Sequence, residues 1–387
     1  MLGVAVVVST LTGCGLPGTS PSASLTPSAT ASAAPATPTP TPTTCSNTGV
    51  LATWSVTRLA EQIVVVPVSE TDVDSVTAEV AAGAGGVILF GSTAPATLGT
   101  SLQRLAAVAP DGIAPFVMTD EEGGVVQRMA NLVGSIPSAR EMGATMTPDQ
   151  IRQLAATAAK RMKAAGVTMD LAPVLDLDAG QGPNNRDPDG TRSFSLNAAT
   201  AAADGTAFMA GLEAGGIVPV VKHFPGLGQA TGNTDAGPAS TLPWTTLERA
   251  GLVPFQDAIS AGTPAVMIAN AVVPGLTTVP ASIAPSLITG VLRDQLGFQG
   301  LVITDSLSAG ALADIGYSVP KAVVAAVAAG ADMVLFTAAA SKVASVTSAT
   351  VAALSAAIDT GAIDRGRMVD AVDHILTAKH VDLCTHS

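Results

Sequence analysis

Residues 285–307 read PSLITGVLRDQLGFQGLVITDSL. The first part, Pro285–Leu296, is a helical candidate, and the turn Gly-Phe-Gln-Gly separates it from the apolar run Leu301–Thr304. A short, continuous apolar run next to a helix is typical of a strand in a parallel sheet that is covered on both faces. Asp305 follows this run directly, so a carboxylate is expected where the strand ends.

The same alternation extends through the chain on both sides of this stretch. Further helical candidates include Asp149–Ala165, Ala198–Ala214 and Thr246–Ala261. Eight β-branched runs separated by helices predict an α/β fold, a single (β/α)₈ TIM barrel, rather than an open doubly wound sheet. No Gly-x-Gly-x-x-Gly follows the first run, which argues against the Rossmann alternative. The seven other runs are Ile63–Val68, Val87–Phe90, Phe116–Thr119, Val167–Ala172, Ile217–Val221, Ala265–Ala269 and Met333–Phe336.

Composition excludes several classes of function. The chain of 387 residues carries 18 basic and 30 acidic side chains, a net charge of −12, with no Lys/Arg-rich patch. We therefore expect no binding to nucleic acid and no docking of the folded surface on anionic lipid. Three cysteines and four histidines are scattered without ligand spacing, so no metal site is predicted.

Polar side chains follow several of the predicted strands. Asp120 follows the third run, Lys222 and His223 follow the fifth, and Asn270 and Asp305 follow the sixth and seventh. Strand ends of a barrel meet on one rim, where the active site lies. Hydrolysis of a glycosidic bond needs one group that captures the oxocarbenium-like centre and one that protonates the leaving oxygen. The rim supplies these types of side chain.

Several longer motifs then identify a family resemblance. The motifs are TDEEGGVVQR (119–128), LAPVLDLD (171–178), TRSF (191–194), KHFPG (222–226), LVPFQDAISAG (252–262) and LRDQLGFQGLVITDSL (292–307). In these motifs residues 58–380 resemble family 3 glycoside hydrolases, and among them the bacterial β-N-acetylglucosaminidases that act on cell-wall fragments. The resemblance implies a retaining enzyme that needs no cofactor.

The resemblance also implies roles for individual residues. Asp305 matches the catalytic nucleophile, although a strand-end aspartate can also cap the following helix. Arg128 and Arg192 could instead pair with buried carboxylates, and His223 could be a satisfied core residue. Asp176 matches a position that lines the site, or it orders its own loop. The sugar-binding positions of the family are matched by Asp120, Arg128, Arg192, Lys222 and His223.

The chain departs from these enzymes in one loop. The N-acetylglucosaminidases carry an Asp-x-His dyad after KHFPG whose histidine is the acid/base, but here Asn233 and Asp235 occupy the two positions. Another family histidine, after the sixth strand, is Asn270. Asp235 is therefore our candidate acid/base, because a carboxylic acid in a desolvated loop can have its pKa raised towards the working pH. The alternative is a solvated loop aspartate.

The region before the barrel predicts a membrane anchor. Residues 2–12 are a short apolar stretch, and Leu11-Thr12-Gly13-Cys14 resembles a bacterial lipoprotein signal with Cys14 as the lipidated residue. No Lys or Arg precedes Cys14, unlike an ordinary secretory signal. The alternative is a buried strand with a free cysteine. We assign residues 1–14 to this signal.

Residues 15–44 are predicted to be a disordered linker, and residues 45–387 the barrel. Pro, Ala, Ser and Thr make up 26 of residues 17–44, too little apolar surface to offset chain entropy. Cys45 and Cys384 flank the barrel, and in an oxidising compartment we expect a disulfide between them. The alternative is two unpaired thiols.

Together these features predict an extracytoplasmic, lipid-anchored, monomeric enzyme. It would remove terminal β-linked N-acetylglucosamine from peptidoglycan-derived fragments or chitooligosaccharides. A β-glucosidase or other family 3 exo-glycosidase, a phosphorylase, and a catalytically impaired sugar-binding lipoprotein stay open as alternatives.

Overall fold

Eight parallel strands form the centre of the computed structural model, which describes residues 45–385. The first seven strands pair with one another in chain order, and the eighth pairs with the first. A bridge between Ile303 and Met333 joins the seventh strand to the approach of the eighth, so the sheet closes. The predicted (β/α)₈ barrel is confirmed. The strands are β1 (Val64–Ser69), β2 (Gly86–Phe90), β3 (Phe116–Thr119), β4 (Met169–Asp170), β5 (Val218–Phe224), β6 (Ala265–Ile268), β7 (Leu301–Thr304) and β8 (Val334–Leu335).

Strand β5 differs from its prediction at its carboxyl end. It was expected to end at Val221 but runs to Phe224. The carbonyl of Lys222 accepts a 2.6 Å hydrogen bond from the Leu175 backbone N–H, and Lys222 bridges Val174 in parallel. Lys222 and His223 are therefore held by strand pairing, more rigidly than loop residues would be.

Helices cover the outside of the barrel. The helix predicted over Thr246–Ala261 is divided at Leu252, because Pro254 has no N–H to continue the preceding helical turn and instead lies in the first turn of Val253–Ser260. Pro285–Leu296 is one π-helical segment, Ser286–Gln295. The α-helices are Asn47–Leu51, Val56–Ile63, Thr77–Ala82, Leu98–Ala106, Ala130–Val133, Ala139–Thr145, Pro148–Ala164, Ala198–Ala214, Trp244–Thr246, Val253–Ser260, Gly310–Ala313, Val319–Ala329, Val343–Asp359 and Arg365–Ala378, with a π-helical turn at Leu247–Gly251.

Small residues allow the outer helices to pack closely. A Cβ on Gly211 would lie 2.4 Å from the carbonyl oxygen of Arg152, so Ala198–Ala214 can approach Pro148–Ala164 only with glycine there. The second of these helices begins with a capping box between Thr147 and Gln150. The Ala-rich composition therefore supports close helix packing in the outer layer.

One outer helical stretch, Ala340–Asp359, is long and apolar enough to cross a membrane by length and composition alone. In the part of the chain that the structure describes, its inner residues Leu354 and Ala357 are buried in the same core as the barrel strands. It therefore has the position of a barrel helix. The predicted lipoprotein signal, with Cys14, and the linker lie outside the described residues.

The two ends of the barrel domain are joined covalently. Cys45 and Cys384 form a disulfide between residues 339 positions apart. The side chain of Asn47 adds two hydrogen bonds across the same gap, from Nδ2 to the Val381 carbonyl (3.0 Å) and from the Leu383 N–H to Oδ1 (2.8 Å). The first and last elements of the barrel are thus tied together.

Removal of this disulfide is expected to destabilise the domain. Replacing both Cys45 and Cys384 with Ser should cost about 2–5 kcal/mol of unfolding free energy, since the cross-link restricts the unfolded chain over a long loop. Urea unfolding of the variant and the parent measures the difference. Asn47→Ala is the control that removes the hydrogen bonds but leaves the cross-link. Two reactive thiols in the unfolded, unreduced parent would show that the bond does not form.

Candidate active site

A cavity of about 430 Å³ opens at the carboxyl ends of the barrel strands. Two larger cavities lie elsewhere: one of about 620 Å³ between outer helices, and one of about 600 Å³ lined by the strand starts at Val218 and Leu301. Of these three cavities within residues 45–385, only the one at the carboxyl ends contains the residues predicted for catalysis and sugar binding. Its lining includes all seven of them: Asp120, Arg128, Arg192, Lys222, His223, Asp235 and Asp305.

A buried ionic network forms one wall of the cavity. The Lys222 Nζ lies 2.8 Å from Asp120 Oδ1 and 2.6 Å from Glu122 Oε1. Arg192 donates from Nε and Nη2 to the two carboxylate oxygens of Glu122 at 2.7 and 2.8 Å, and so forms a bidentate pair. Charged groups this well buried are stable only because each meets a partner of opposite charge.

The network determines the protonation of its members. Burial alone would raise the pKa of Glu122, but Arg192 and Lys222 outweigh it and hold that pKa far below the usual range. Burial would also raise the pKa of Asp120, but the positive charges of Lys222 and Arg128 outweigh burial and lower that pKa. The pKa of Lys222 is raised, because Asp120 and Glu122 outweigh the effect of burial. The wall therefore stays fully ionised, with fixed acceptors and donors for sugar hydroxyls.

A short hairpin positions Arg128 over the cavity. Its strands, Glu121–Gly123 and Val126–Gln127, are joined by a turn in which Gly124 has a φ of +58°, a conformation that favours glycine. The buried carboxylate of Glu121 accepts from the backbone N–H groups of Arg128 and Met129, both at 2.7 Å. The Nη2 of Arg128 lies 3.4 Å from Asp120 Oδ2.

Arg140 holds the segment that carries Arg192. Its guanidinium donates to the backbone carbonyls of Asp178 (2.6 Å), Gly190 (3.0 Å) and Ser193 (3.3 Å). Arg192 itself pairs with the buried Glu122 and also lines the cavity. Both interpretations offered for Arg192 on sequence grounds thus apply to the same side chain.

His223 is oriented by Asp176. The ring Nδ1 lies 2.7 Å from Asp176 Oδ2, and the same carboxylate accepts from the backbone N–H groups of His223 and Leu227. Burial, reinforced by Arg192, lowers the pKa of His223 to about 4, so the ring is neutral near pH 7. Asp176 is fully buried and orders the loop behind the cavity, which supports the second of its two interpretations.

Asp305 follows β7 directly and lines the cavity together with His223 and Asp235. Its Oδ1 accepts from the Ser306 backbone N–H at 2.6 Å. Burial raises the pKa of Asp305, His223 lowers it in part, and the carboxylate of Asp235 raises it further. The backbone behind it is fixed by the buried Asn270, whose Nδ2 donates to the Ser306 carbonyl at 2.7 Å while its Oδ1 accepts from Ser282.

The loop carrying Asp235 is docked next to Asp305. The backbone carbonyls of Thr234 and Asp235 accept hydrogen bonds from Ala311 and Gly310, the start of the short helix after Asp305. Asn233 Oδ1 accepts from the Asp235 N–H at 2.9 Å and so shapes the turn. The Asp235 side chain is exposed at the cavity mouth.

Two carboxylates that interact with these groups were not singled out from the sequence. Glu122 pairs with both Lys222 and Arg192, and only its place within two residues of Asp120 in the strand-end motif could have indicated it. Asp189 is fully buried 4.0 Å from the ring Nδ1 of His223. No sequence signal identified Asp189.

The cavity can perform acid and nucleophilic chemistry on a bound sugar. One carboxylate, Asp305, is held rigidly at its base, and a second, Asp235, faces the same space from the mouth. The ionised wall supplies donors and acceptors fixed in advance, so little reorganisation is needed when charge develops.

Comparison with known proteins is consistent with this chemistry. Residues 59–378 match the family model described as the glycosyl hydrolase family 3 N terminal domain. The beta-hexosaminidase LpqI of Mycobacterium tuberculosis is 36% identical over 264 residues, which are 65% of this chain and 66% of that protein's length.

Solved structures show the same architecture. A glycosyl hydrolase described as a GH3 family member, from Mycobacterium smegmatis, is 33% identical with a TM-score of 0.76 over 85% of this chain and 98% of its own. A beta-N-acetylhexosaminidase from Beutenbergia cavernae is 31% identical with a TM-score of 0.76, over 85% of this chain and all of its own (100%).

Proposed function

Because the chain belongs to glycosyl hydrolase family 3, we propose that it is a retaining exo-β-N-acetylglucosaminidase acting on peptidoglycan-derived fragments. The observation that carries the proposal is the convergence of Asp305 with the ionised wall of Asp120, Glu122, Lys222 and Arg192 on one cavity. Relatives named as hexosaminidases support N-acetylglucosamine as the sugar.

The proposed reaction has two steps. Asp305 attacks the anomeric carbon while Asp235 gives its proton to the leaving oxygen, which forms a glycosyl ester and releases the aglycone. Asp235, now ionised, then takes a proton from water as the water attacks the anomeric carbon and displaces the Asp305 carboxylate. The sugar leaves with its original anomeric configuration, and Asp305 is restored as a carboxylate.

A comparison of two aryl glycosides tests the substrate. We expect kcat/KM for an aryl β-N-acetylglucosaminide to exceed that for the aryl β-glucoside by on the order of 10²-fold, since hydrogen bonds to the acetamido group are made only with the first. Equal rates, or a preference for the glucoside, would favour a β-glucosidase. Binding of N-acetylglucosamine with no turnover of either glycoside would favour an impaired sugar-binding protein.

Asn233 and Asp235, in place of the Asp-x-His dyad, keep a phosphorylase as a second candidate. A phosphorylase transfers the sugar to phosphate in place of water. Product analysis with and without phosphate separates the two reactions, because only a phosphorylase forms the sugar 1-phosphate.

The same proposal places the enzyme outside the cytoplasm on a lipid anchor. It rests on Leu11-Thr12-Gly13-Cys14 and on the Pro/Thr-rich composition of residues 17–44. Replacing Cys14 with Ala should move the protein from the detergent phase to the aqueous phase on partitioning. A variant that partitions like the parent would mean that Cys14 carries no lipid.

A further inference from the structure

Three buried side chains meet behind the sugar cavity. Asp176 and Asp189 have no exposed surface, and His223 is 5% exposed. The His223 Nδ1 lies 2.7 Å from Asp176 Oδ2 and 4.0 Å from Asp189 Oδ1, and one ligand atom from each of the three lies within 4.8 Å of the others. Their positions, 13 and 34 residues apart in the chain, explain why sequence spacing predicted no metal site.

Asp189 has no hydrogen-bond donor. Within residues 45–385, neither of its carboxylate oxygens has a partner, although both are buried. The nearest cation is Arg192, whose Nε and Nη2 donate to Glu122. Its Nη1 donates to the Pro188 carbonyl and lies 3.6 Å from Asp189 Oδ1. A buried carboxylate without a hydrogen-bond donor is costly, and either a proton or a bound cation relieves this cost.

We propose that Asp176, Asp189 and His223 form a binding site for a divalent transition cation of the Zn²⁺ type. Imidazole nitrogen and carboxylate oxygen are both zinc ligands, whereas Mg²⁺ and Ca²⁺ prefer oxygen ligands alone. Ligand atoms about 2.0–2.2 Å from a tetrahedral zinc lie about 3.3–3.5 Å apart, and the observed 2.7 and 4.0 Å bracket these values. The neutral imidazole binds the cation through Nδ1 and carries its one proton on Nε2.

The cavity provides the route to this site. Pro188, Arg192 and His223 line the cavity wall, and the two carboxylates lie directly behind the histidine ring. Two negative charges against one dication give a neutral cluster, which does not add net charge beside Arg192.

Titration calorimetry with Zn²⁺ alone tests the site in the full-length, untagged protein after treatment with a chelator. We expect one Zn²⁺ per chain, and Asp189→Asn should weaken its binding by at least about tenfold. Asp235→Asn is the matched control, a carboxylate of the same cavity outside the cluster, and should leave the Zn²⁺ affinity unchanged. With Co²⁺, the parent should show the visible absorption of a tetrahedral site, and Asp189→Asn should not.

The outcomes are decisive without any sugar present. Absence of binding in the parent, equal affinity in Asp189→Asn, or an equal loss in Asp235→Asn would overturn the proposal. Should Asp189→Asn unfold in a thermal melt, His223→Gln removes a different ligand and should also lose Zn²⁺. Failure of the glycosidase assays would leave these binding results intact, because they do not depend on turnover.

Discussion

Asp305→Asn is expected to abolish turnover, with a loss in kcat on the order of 10⁴- to 10⁶-fold, the scale seen when a catalytic nucleophile is removed. The amide has the same shape as the carboxylate and can still accept the hydrogen bond from Ser306, so the cavity should keep its form. The ionised wall proposed to bind the sugar is untouched, so affinity for N-acetylglucosamine should change little.

A mechanism-based label checks the nucleophile directly. A fluorinated sugar that accumulates the glycosyl-enzyme should modify Asp305 in the parent, which peptide mass spectrometry detects. Asp257→Asn is a suitable control, since Asp257 is exposed on the outer helix Val253–Ser260 and should not affect activity. Labelling of another residue, or a product of inverted configuration, would refute the retaining mechanism.

Asp235→Ala is expected to separate the two half-reactions. Aryl substrates whose leaving groups need a proton should slow by about 10²- to 10⁴-fold, because general acid catalysis is lost. Substrates with very acidic phenols leave without a proton and should form the glycosyl-enzyme at nearly the parent rate. Pre-steady-state release of the phenol measures this first step.

Azide tests the second half-reaction of the same variant. A small anionic nucleophile needs no general base, so azide should restore breakdown of the glycosyl-enzyme and give a glycosyl azide. Asp314→Ala provides the control, as Asp314 is exposed at the end of Gly310–Ala313 and does not line the cavity. Equal slowing of good and poor leaving groups, without azide rescue, would exclude Asp235 as the acid/base.

The barrel was predictable because its signal is local. Eight apolar runs, each long enough for one strand and separated by helix-forming segments, leave few other ways to bury every run. Leu301–Thr304 and Phe116–Thr119 were predicted with the observed bounds, because an abrupt change from apolar to polar residues marks each end. The helix predicted over Thr246–Ala261 is helical in the structure, but its division at Leu252 was not predicted, since the effect of Pro254 depends on which turn it occupies.

The candidate site was predictable to the same extent. Strand ends of a parallel barrel share one rim, so residues that follow the strands, such as Asp120 and Asp305, had to lie near one another. The structure brings all seven predicted residues to one cavity, whereas their roles in catalysis stay predictions.

The amino-acid sequence alone therefore determined the barrel and the side chains at its active end. Only the tertiary structure decided which of them pair: Glu122 with Arg192 across 70 positions, and Asp189 beside His223. It also decided that the Asp235 loop docks on the helix after Asp305. The physical reason is that hydrophobic periodicity specifies which face of a segment is buried, whereas partners across the rim depend on strand register and barrel closure, which no local pattern records.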